Sequence, residues 1–450
     1  MKRIIIQYGG TGDLALKKLY PAYENLIGKG FEFDILALGR RFEDRNTFIS
    51  TIIDKKASPE FLKHLDYLPY DMADQKATAN LIHKLKSMVN DKENVELIYY
   101  LALQPNLYEE AIRQIQEVDA SMNSICTITK KIVVEKPFGF DLESAVRYNQ
   151  ILETAFDDRE IFRIDHYLGK EFMQNLLIMR FHNDIVRRIW DKDSIESIQI
   201  IFDETHGVDQ RLGFYEKIGV VRDTIQNHIM QIITYLTMNE PASLSSEDIA
   251  VEKVKVLKAI SPIEEFSMGR YESLGANSGH VVDIPTYAAL KLCVNTYFFA
   301  NIPIYIRTGK MQGEPKSLIY VKFKNTTKKV MHDQSIAENA VIINIHPELT
   351  IDISVNLKQP NTSWKSKPVR FRFNQAETFG ANTPEAYEQI LQKILQGDKS
   401  LFPSMREITE SWRIVTPMLE HIGPSEVYPV RTQPRFVSEL ATKNHFEWYV

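Results

Sequence analysis

The segment Arg163-Ile164-Asp165-His166-Tyr167-Leu168-Gly169-Lys170-Glu171 crowds acids, bases and hydrogen-bond donors into nine consecutive positions. A helix starting near His166 would place His166 and Lys170 at i and i+4 on one face. With Tyr167 they would form a set of donors suited to a phosphate dianion. Asp165, just ahead, would face elsewhere and orient another group. Spacing alone is equally met by a charged, solvated helix start. A second histidine lies in Arg222-Asp223-Thr224-Ile225-Gln226-Asn227-His228. Asp223 is placed to cap the helix that follows. Ile225, His228, Ile229, Ile232 and Leu236 share one helical stripe, the usual mark of a core face. Glu204, Asp223, Gln226 and Asn227 nevertheless put several polar groups near His228 in sequence. Lys136, in Glu135-Lys136-Pro137-Phe138-Gly139, closes an apolar strand, where a lysine reaches a phosphate or a sugar oxygen. Pro137 fixes the local backbone and is a candidate for a cis bond. Arg307-Thr308-Gly309-Lys310, with Lys316 beyond it, is a further basic group.

A different chemistry is written near the start. Gly10-Thr11-Gly12-Asp13-Leu14-Ala15 fits G-x-G-x-x-(G/A), follows an apolar strand that ends at Gly9, and opens a helix. Glycines allow the backbone to approach a pyrophosphate, and the helix N-terminus offers free N–H groups and partial positive charge. The second strand ends in Gly39-Arg40-Arg41. An acidic residue there suits the ribose of NAD; arginine suits a 2′-phosphate and favours NADP.

Apolar runs at 3–8, 34–39, 97–103 and 131–135 read as buried strands. Helical patterns separate them: about 13–27 (with Pro21 as a kink), 107–118 and 141–156. Strand alternating with helix predicts a parallel sheet covered on both faces. After about residue 195 the pattern changes. Strands at 195–204, 318–323, 340–345, 350–356 and 368–373 follow with little helix between the later ones, which predicts an antiparallel sheet. Helices at about 221–238 and 383–397 flank it. The expected fold class is therefore α/β plus α+β. The boundary falls near residue 165, giving domains 1–165 and 166–450 that pack together around a cleft.

Composition narrows the function. Of 450 residues, 44% are apolar and 25% charged, the usual mix of a soluble globular protein. No apolar run is long enough for a membrane helix, and Gly9, Gly10 and Asp13 interrupt the first one too early for a secretory signal. Two cysteines, Cys126 and Cys293, favour a reducing, cytoplasmic setting over a disulfide framework. A net charge of −5 argues against nucleic-acid binding, so an anionic ligand needs a local basic cluster. The 11 histidines show no metal-binding spacing, and no G-x-S-x-G elbow occurs, so no metal is expected.

The motifs GGTGDLALKKLYP (9–21), LALQPNLY (101–108), EKPFG (135–139), RIDHYLGKE (163–171), VRDTIQNH (221–228), PTYAAL (285–290), IRTGK (306–310), TPEAYE (383–388) and GDKSLF (397–402) run in order along the chain. Together they resemble the glucose-6-phosphate dehydrogenase family, with RIDHYLGKE the most specific of them. The resemblance implies an N-terminal Rossmann domain and a C-terminal β+α domain with a large, mainly antiparallel sheet. It implies oxidation of glucose 6-phosphate at C1 with NADP (or NAD) as acceptor, the first step of the oxidative pentose phosphate pathway. By the same resemblance His228 is the general base and Asp165 its carboxylate partner. His166, Tyr167 and Lys170 fall on the substrate-phosphate site, and Lys136 lies near both substrate and nicotinamide. Glu204, Asp223 and Lys310 fall on substrate contacts, with Lys316 near them. Gly9, Gly10, Thr11, Gly12, Asp13 and Leu14 form the dinucleotide loop, Arg40 lies beside the 2′-phosphate, and Tyr108 touches the coenzyme. A homodimer through the C-terminal sheet, or a homotetramer, is implied. The sequence departs from the family at Gly10, at Gln104, at Glu204-Thr205-His206-Gly207 and at Phe298-Phe299-Ala300-Asn301. Competing readings are a sugar dehydrogenase of the glucose–fructose oxidoreductase type and an inactive NADP-binding homologue.

Overall fold

A computed structural model describes residues 1–53, 57–208, 212–276, 278–280, 282–325, 336–363, 365–380, 385–421, 423 and 425–449. The chain forms two compact units. One holds Met1–Lys170, Leu244–Glu247 and Pro384–Met405; the other holds Glu171–Ser243, Asp248–Thr383 and Arg406–Val450. The unbroken part of the first unit thus extends five residues past the expected division at 165, and a late segment of chain returns to it.

The first unit is built on six parallel strands: β1 (Lys2–Tyr8), β2 (Asp34–Gly39), β3 (Leu65–Pro69), β4 (Asn94–Leu101), β5 (Thr127–Val134) and β6 (Ile161–Arg163). Their order is β3-β2-β1-β4-β5-β6, every neighbouring pair parallel. This is the Rossmann order, with its reversal of direction between β1 and β4. Ile4, Ile5 and Ile6 of β1 and Val95 to Leu101 of β4 are buried, as a sheet covered on both faces requires. The helix after the glycine loop is continuous through Gly28, but Ala15–Leu19 is wound as a π-helix ahead of Pro21 near the start of the α-helical part. The widened turn ends just before Pro21, the position at which a kink is expected. It accommodates a residue that lacks an N–H and crowds the preceding turn.

The second unit carries nine strands: β7 (Ile195–Asp203), β8 (Glu265–Tyr271), β9 (Tyr287–Cys293), β10 (Pro303–Gly309), β11 (Lys316–Phe323), β12 (Ala340–His346), β13 (Thr350–Lys358), β14 (Ser366–Asn374) and β15 (Glu426–Tyr428). Their order is β14-β13-β12-β11-β7-β10-β9-β8-β15. Only β7–β10 and β8–β15 pair in parallel; the rest are antiparallel, as the strand run predicts. Among the described residues no helix is long and apolar enough to cross a membrane.

Candidate functional site

In the first unit the glycine loop sits at the carboxyl end of β1. Gly9 has φ +70°, and a Cβ there would lie 2.6 Å from the Ala102 carbonyl oxygen, so only glycine fits. The Gly10 N–H donates to Leu38 at 2.8 Å and the Gly12 N–H to Gly9 at 3.0 Å. The Tyr20 hydroxyl donates to the Gly10 carbonyl. A Cβ on Gly39 would lie 2.7 Å from the Thr11 methyl, so the loop and the end of β2 touch. Beside this loop lies a cavity of about 410 Å³ lined by Gly9, Thr11, Gly12, Gly39, Arg40 and Tyr70, among others. Backbone approach, a helix start and an arginine at the rim fit a dinucleotide phosphate.

Not every expected loop residue faces that cavity. Gly10 is packed inward, where a Cβ would come within 2.9 Å of Ala37 Cβ. Asp13 is exposed and paired with Lys17 at 2.9 Å, a contact that lowers its carboxyl below the usual range. Leu14 immediately precedes the π-helical turn. Tyr108 is buried and its hydroxyl donates to the Glu135 carbonyl at 3.4 Å; its neighbour Leu107 does line the cavity.

The end of β5 and the turn after β6 bring the next group together. Lys136-Pro137 is a cis peptide bond. The preceding Glu135 accepts from Tyr100 at 2.6 Å and from Tyr387 at 3.4 Å. Burial pushes its carboxyl up to about 7, against the lowering effect of those two hydroxyls and Lys136. Residues 166–170 do not start a helix. The Asp165 side chain accepts from the Tyr167 N–H at 3.0 Å, Leu168 N–H donates to Asp165 and Lys170 N–H to Tyr167, both at 3.0 Å, and the helix begins only at Glu171. Asp165 competes for the backbone donors that a helix would use. Gly169 packs so closely that a Cβ would lie 2.6 Å from the Ala386 carbonyl oxygen. His166 and Lys170 are thus held by successive turns and not by one helical face. The Lys170 ammonium lies 3.8 Å from the Tyr167 ring centroid. The His166 ring stacks on Tyr387 at 6.4 Å with planes 9° apart. Tyr387, on the helix Ala386–Gln396, lies within TPEAYE, where neither residue type nor spacing marks it as functional. Thr383 and Pro384 of that motif lie outside the described residues.

The second unit supplies another cluster. Lys310 Nζ lies 3.0 Å from both Glu204 carboxylate oxygens and 3.0 Å from Asp223. Burial alone would push the Lys310 ammonium down, yet Asp223 and Glu204 hold it above its ordinary value. Asp223 is therefore not a helix cap. The helical stretch starts earlier, at Val221 with Val220 before it, and the carboxylate turns to Lys310. Thr205 and His206 leave Glu204 in place: its N–H donates to Gly309 at 2.8 Å and its carbonyl accepts from Gln312 at 2.9 Å. Gly309 is required beneath the Tyr287 ring, which a Cβ would meet at 1.8 Å. Lys316 opens β11 in register with Asp203, whose buried carboxylate is met by Arg307 at 3.2 Å; it joins none of the Lys310 contacts. His228 is buried in a second π-helical stretch, Val221–Ile229, continuous with the helix Met230–Thr237. Such widened turns re-aim side chains and recur at functional sites.

A parallel sheet in Rossmann order, with its glycine loop, cavity and rim arginine, defines a dinucleotide-binding domain of the kind NAD(P)-dependent oxidoreductases carry. Comparison with known proteins makes this specific. The NAD-binding domain of glucose-6-phosphate dehydrogenase matches residues 5–175, and the C-terminal domain of the same family matches residues 177–449. The chain belongs to the glucose-6-phosphate dehydrogenase family. It is 31% identical to glucose-6-phosphate 1-dehydrogenase of Bacillus subtilis, across 100% of this chain and 98% of the relative. Its identity to the Saccharomyces cerevisiae enzyme is 32%, across 98% and 94%. A glucose-6-phosphate dehydrogenase solved in complex with its substrate glucose-6-phosphate superimposes with a TM-score of 0.90 at 29% identity, covering 100% of this chain and 99% of that one.

Proposed function

We propose that the protein oxidises glucose 6-phosphate at C1 to 6-phosphoglucono-lactone, with hydride transfer to NADP, and so opens the oxidative pentose phosphate pathway in the cytoplasm. The observation that carries this reading is the full-length likeness to a dehydrogenase whose structure holds that substrate, in a chain that keeps Asp165, His166, Lys170 and His228. NADP, when bound, supplies the hydride acceptor.

Hydride leaves C1 only as the C1 hydroxyl loses its proton, so a base must receive it. His228 takes this role: an imidazole has an ordinary pKa near ~6.5 and exchanges protons at neutral pH. Asp165 fixes the tautomer of that imidazole and stabilises its cation. The proton of the C1 hydroxyl goes to His228 and, as the C1 hydride is taken up by the acceptor that bound NADP would supply, the C1–O bond becomes the lactone carbonyl. His166, Tyr167 and Lys170 hold the distal phosphate, whose binding energy fixes C1 for reaction. Lys136 holds a sugar oxygen beside the nicotinamide. Lys310, Glu204 and Asp223 hold sugar hydroxyls, and Lys316, set apart from them in register with Asp203, takes no part. Arg40 would bind the 2′-phosphate, and Gly9, Thr11 and Gly12, which line the same cavity, would hold the rest of the coenzyme.

The protein works as a homodimer, or a pair of them, through the edge of its large sheet. Along β13 and β14, Ile353 faces Phe371, Val355 faces Val369 and Ile351 faces Phe373. Ile353, Leu357, Val369 and Phe371 are exposed, a contiguous apolar face that a second copy would cover. The deciding experiment follows absorbance of reduced nicotinamide with NADP and either glucose 6-phosphate or free glucose. Turnover with glucose 6-phosphate alone is expected. Preference for free glucose would reassign the enzyme to the glucose–fructose oxidoreductase type, and no turnover with either would make it an inactive homologue.

A further inference from the structure

We infer that the cavity lined by Arg180, Trp190, Met238, Phe298 and Phe299 in the second unit is a binding site for a small carboxylate with an apolar body. The cavity holds about 280 Å³, close to the lower end of the range for small-molecule sites. Arg180 is 5% exposed. Its Nη1 donates to the Tyr235 carbonyl at 2.6 Å and its Nη2 to the Met238 carbonyl at 2.7 Å. Its Nε has no acceptor, and among the described residues no carboxylate pairs with it.

A buried guanidinium that meets only carbonyl dipoles is poorly compensated. Burial pushes it down to about 9, which leaves it charged at neutral pH. The surrounding walls are aromatic. The Phe181 ring lies 4.7 Å and the Phe299 ring 5.7 Å from the guanidinium carbon. The Trp190 ring is fixed by its N–H to the Leu236 carbonyl at 3.0 Å. At the rim Phe298 is 46% exposed, and Arg187 is paired with Glu240 at 3.3 Å. An anionic group in the cavity would offset a guanidinium charge that only carbonyls meet, while the rings cover an apolar body. A neutral ligand of the same shape gains only the second part. Phe298 and Phe299 stand at one of the places where this sequence departs from the family motifs.

The test uses the full chain, with 3-phenylpropanoate and its neutral amide as probes and isothermal titration calorimetry as readout. Saturable binding of the carboxylate is expected, with the amide weaker by about tenfold or more, the worth of one charge-assisted hydrogen bond. Removing Arg180 risks the fold, so the cavity is filled instead from its exposed lining position by Asn239→Trp, and separately by Phe298→Arg at the rim. Either variant that melts with the wild type should lose the carboxylate. Absent binding, equal binding of acid and amide, or unchanged binding by both filled variants would overturn the assignment.

Discussion

At the scale of single residues, the two most informative side chains act on different partners. His228 is proposed to receive a proton that exists only at the reacting hydroxyl, so its loss should spare binding and remove turnover. Asparagine in its place keeps a polar group of similar reach but accepts no proton at neutral pH. His228→Asn is expected to lower kcat by about 10²–10⁴-fold with KM for glucose 6-phosphate changed by less than about threefold. A loss carried mainly by KM would instead make His228 a binding residue. Arg40 lies on the coenzyme cavity at the carboxyl end of β2, where a guanidinium distinguishes a 2′-phosphate from a 2′-hydroxyl. Arg40→Ala should raise KM for NADP about tenfold or more, one charge-assisted contact, and leave KM for NAD nearly unchanged. Equal effects on the two coenzymes would remove Arg40 from the 2′-phosphate site.

At the scale of elements, several of the longer strands were legible, but β9 and β10, seven residues each, were not. The six residues of β2 read directly, as did the buried β1 and the later hairpins of the large sheet. The three-residue β6 is too short to display a period, and β8 (EFSMGRY) mixes polar and apolar positions because part of it is only half-buried. Motif letters identified RIDHYLGKE, but its shape depends on Asp165 bonding its own backbone and on Ala386 closing over Gly169, a contact that arrives from a distant helix. The same helix brings Tyr387 to Glu135, and there a pH effect follows. The Glu135 carboxyl rises from about 4.5 when free to about 7 when folded, chiefly through burial. The folded protein therefore keeps a proton that the unfolded chain has already lost. That contribution is full below about pH 4.5 and is lost as pH rises through about 7. Glutamine keeps an acceptor for Tyr100 and never ionises. Glu135→Gln is thus expected to gain stability over the wild type between about pH 5 and pH 8, by on the order of 1–2 kcal/mol given that the side chain is only part-buried. Thermal melts across that range measure it; a difference independent of pH would show that Glu135 does not titrate there.

At the scale of the whole molecule, the edge of the nine-stranded sheet is the least self-sufficient surface. β14 has a partner on one side only, and natural edge strands are usually blunted by charge, proline or twist. Here the hairpin is divided by face. On one side Arg372 grips the buried Asp352 through two hydrogen bonds of 2.7 and 2.9 Å. On the other side the Ile353–Phe371 and Val355–Val369 pairs form an apolar strip that continues through Phe373 to Phe379, whose rings lie 5.8 Å apart. Phe371 and Phe379 are 57% and 77% exposed. Burying such a strip against a second copy contributes roughly 25 cal/mol per Å² of apolar area, whereas leaving it in water favours aggregation. A charge at its centre would oppose burial without disturbing the Arg372–Asp352 pair on the opposite face. Phe371→Glu is expected to sediment as a monomer under conditions where the wild type is a dimer, with its melting temperature then independent of partner but no longer rising with protein concentration as the wild type's does. A Phe371→Glu protein that remains dimeric would place the subunit interface elsewhere on the chain.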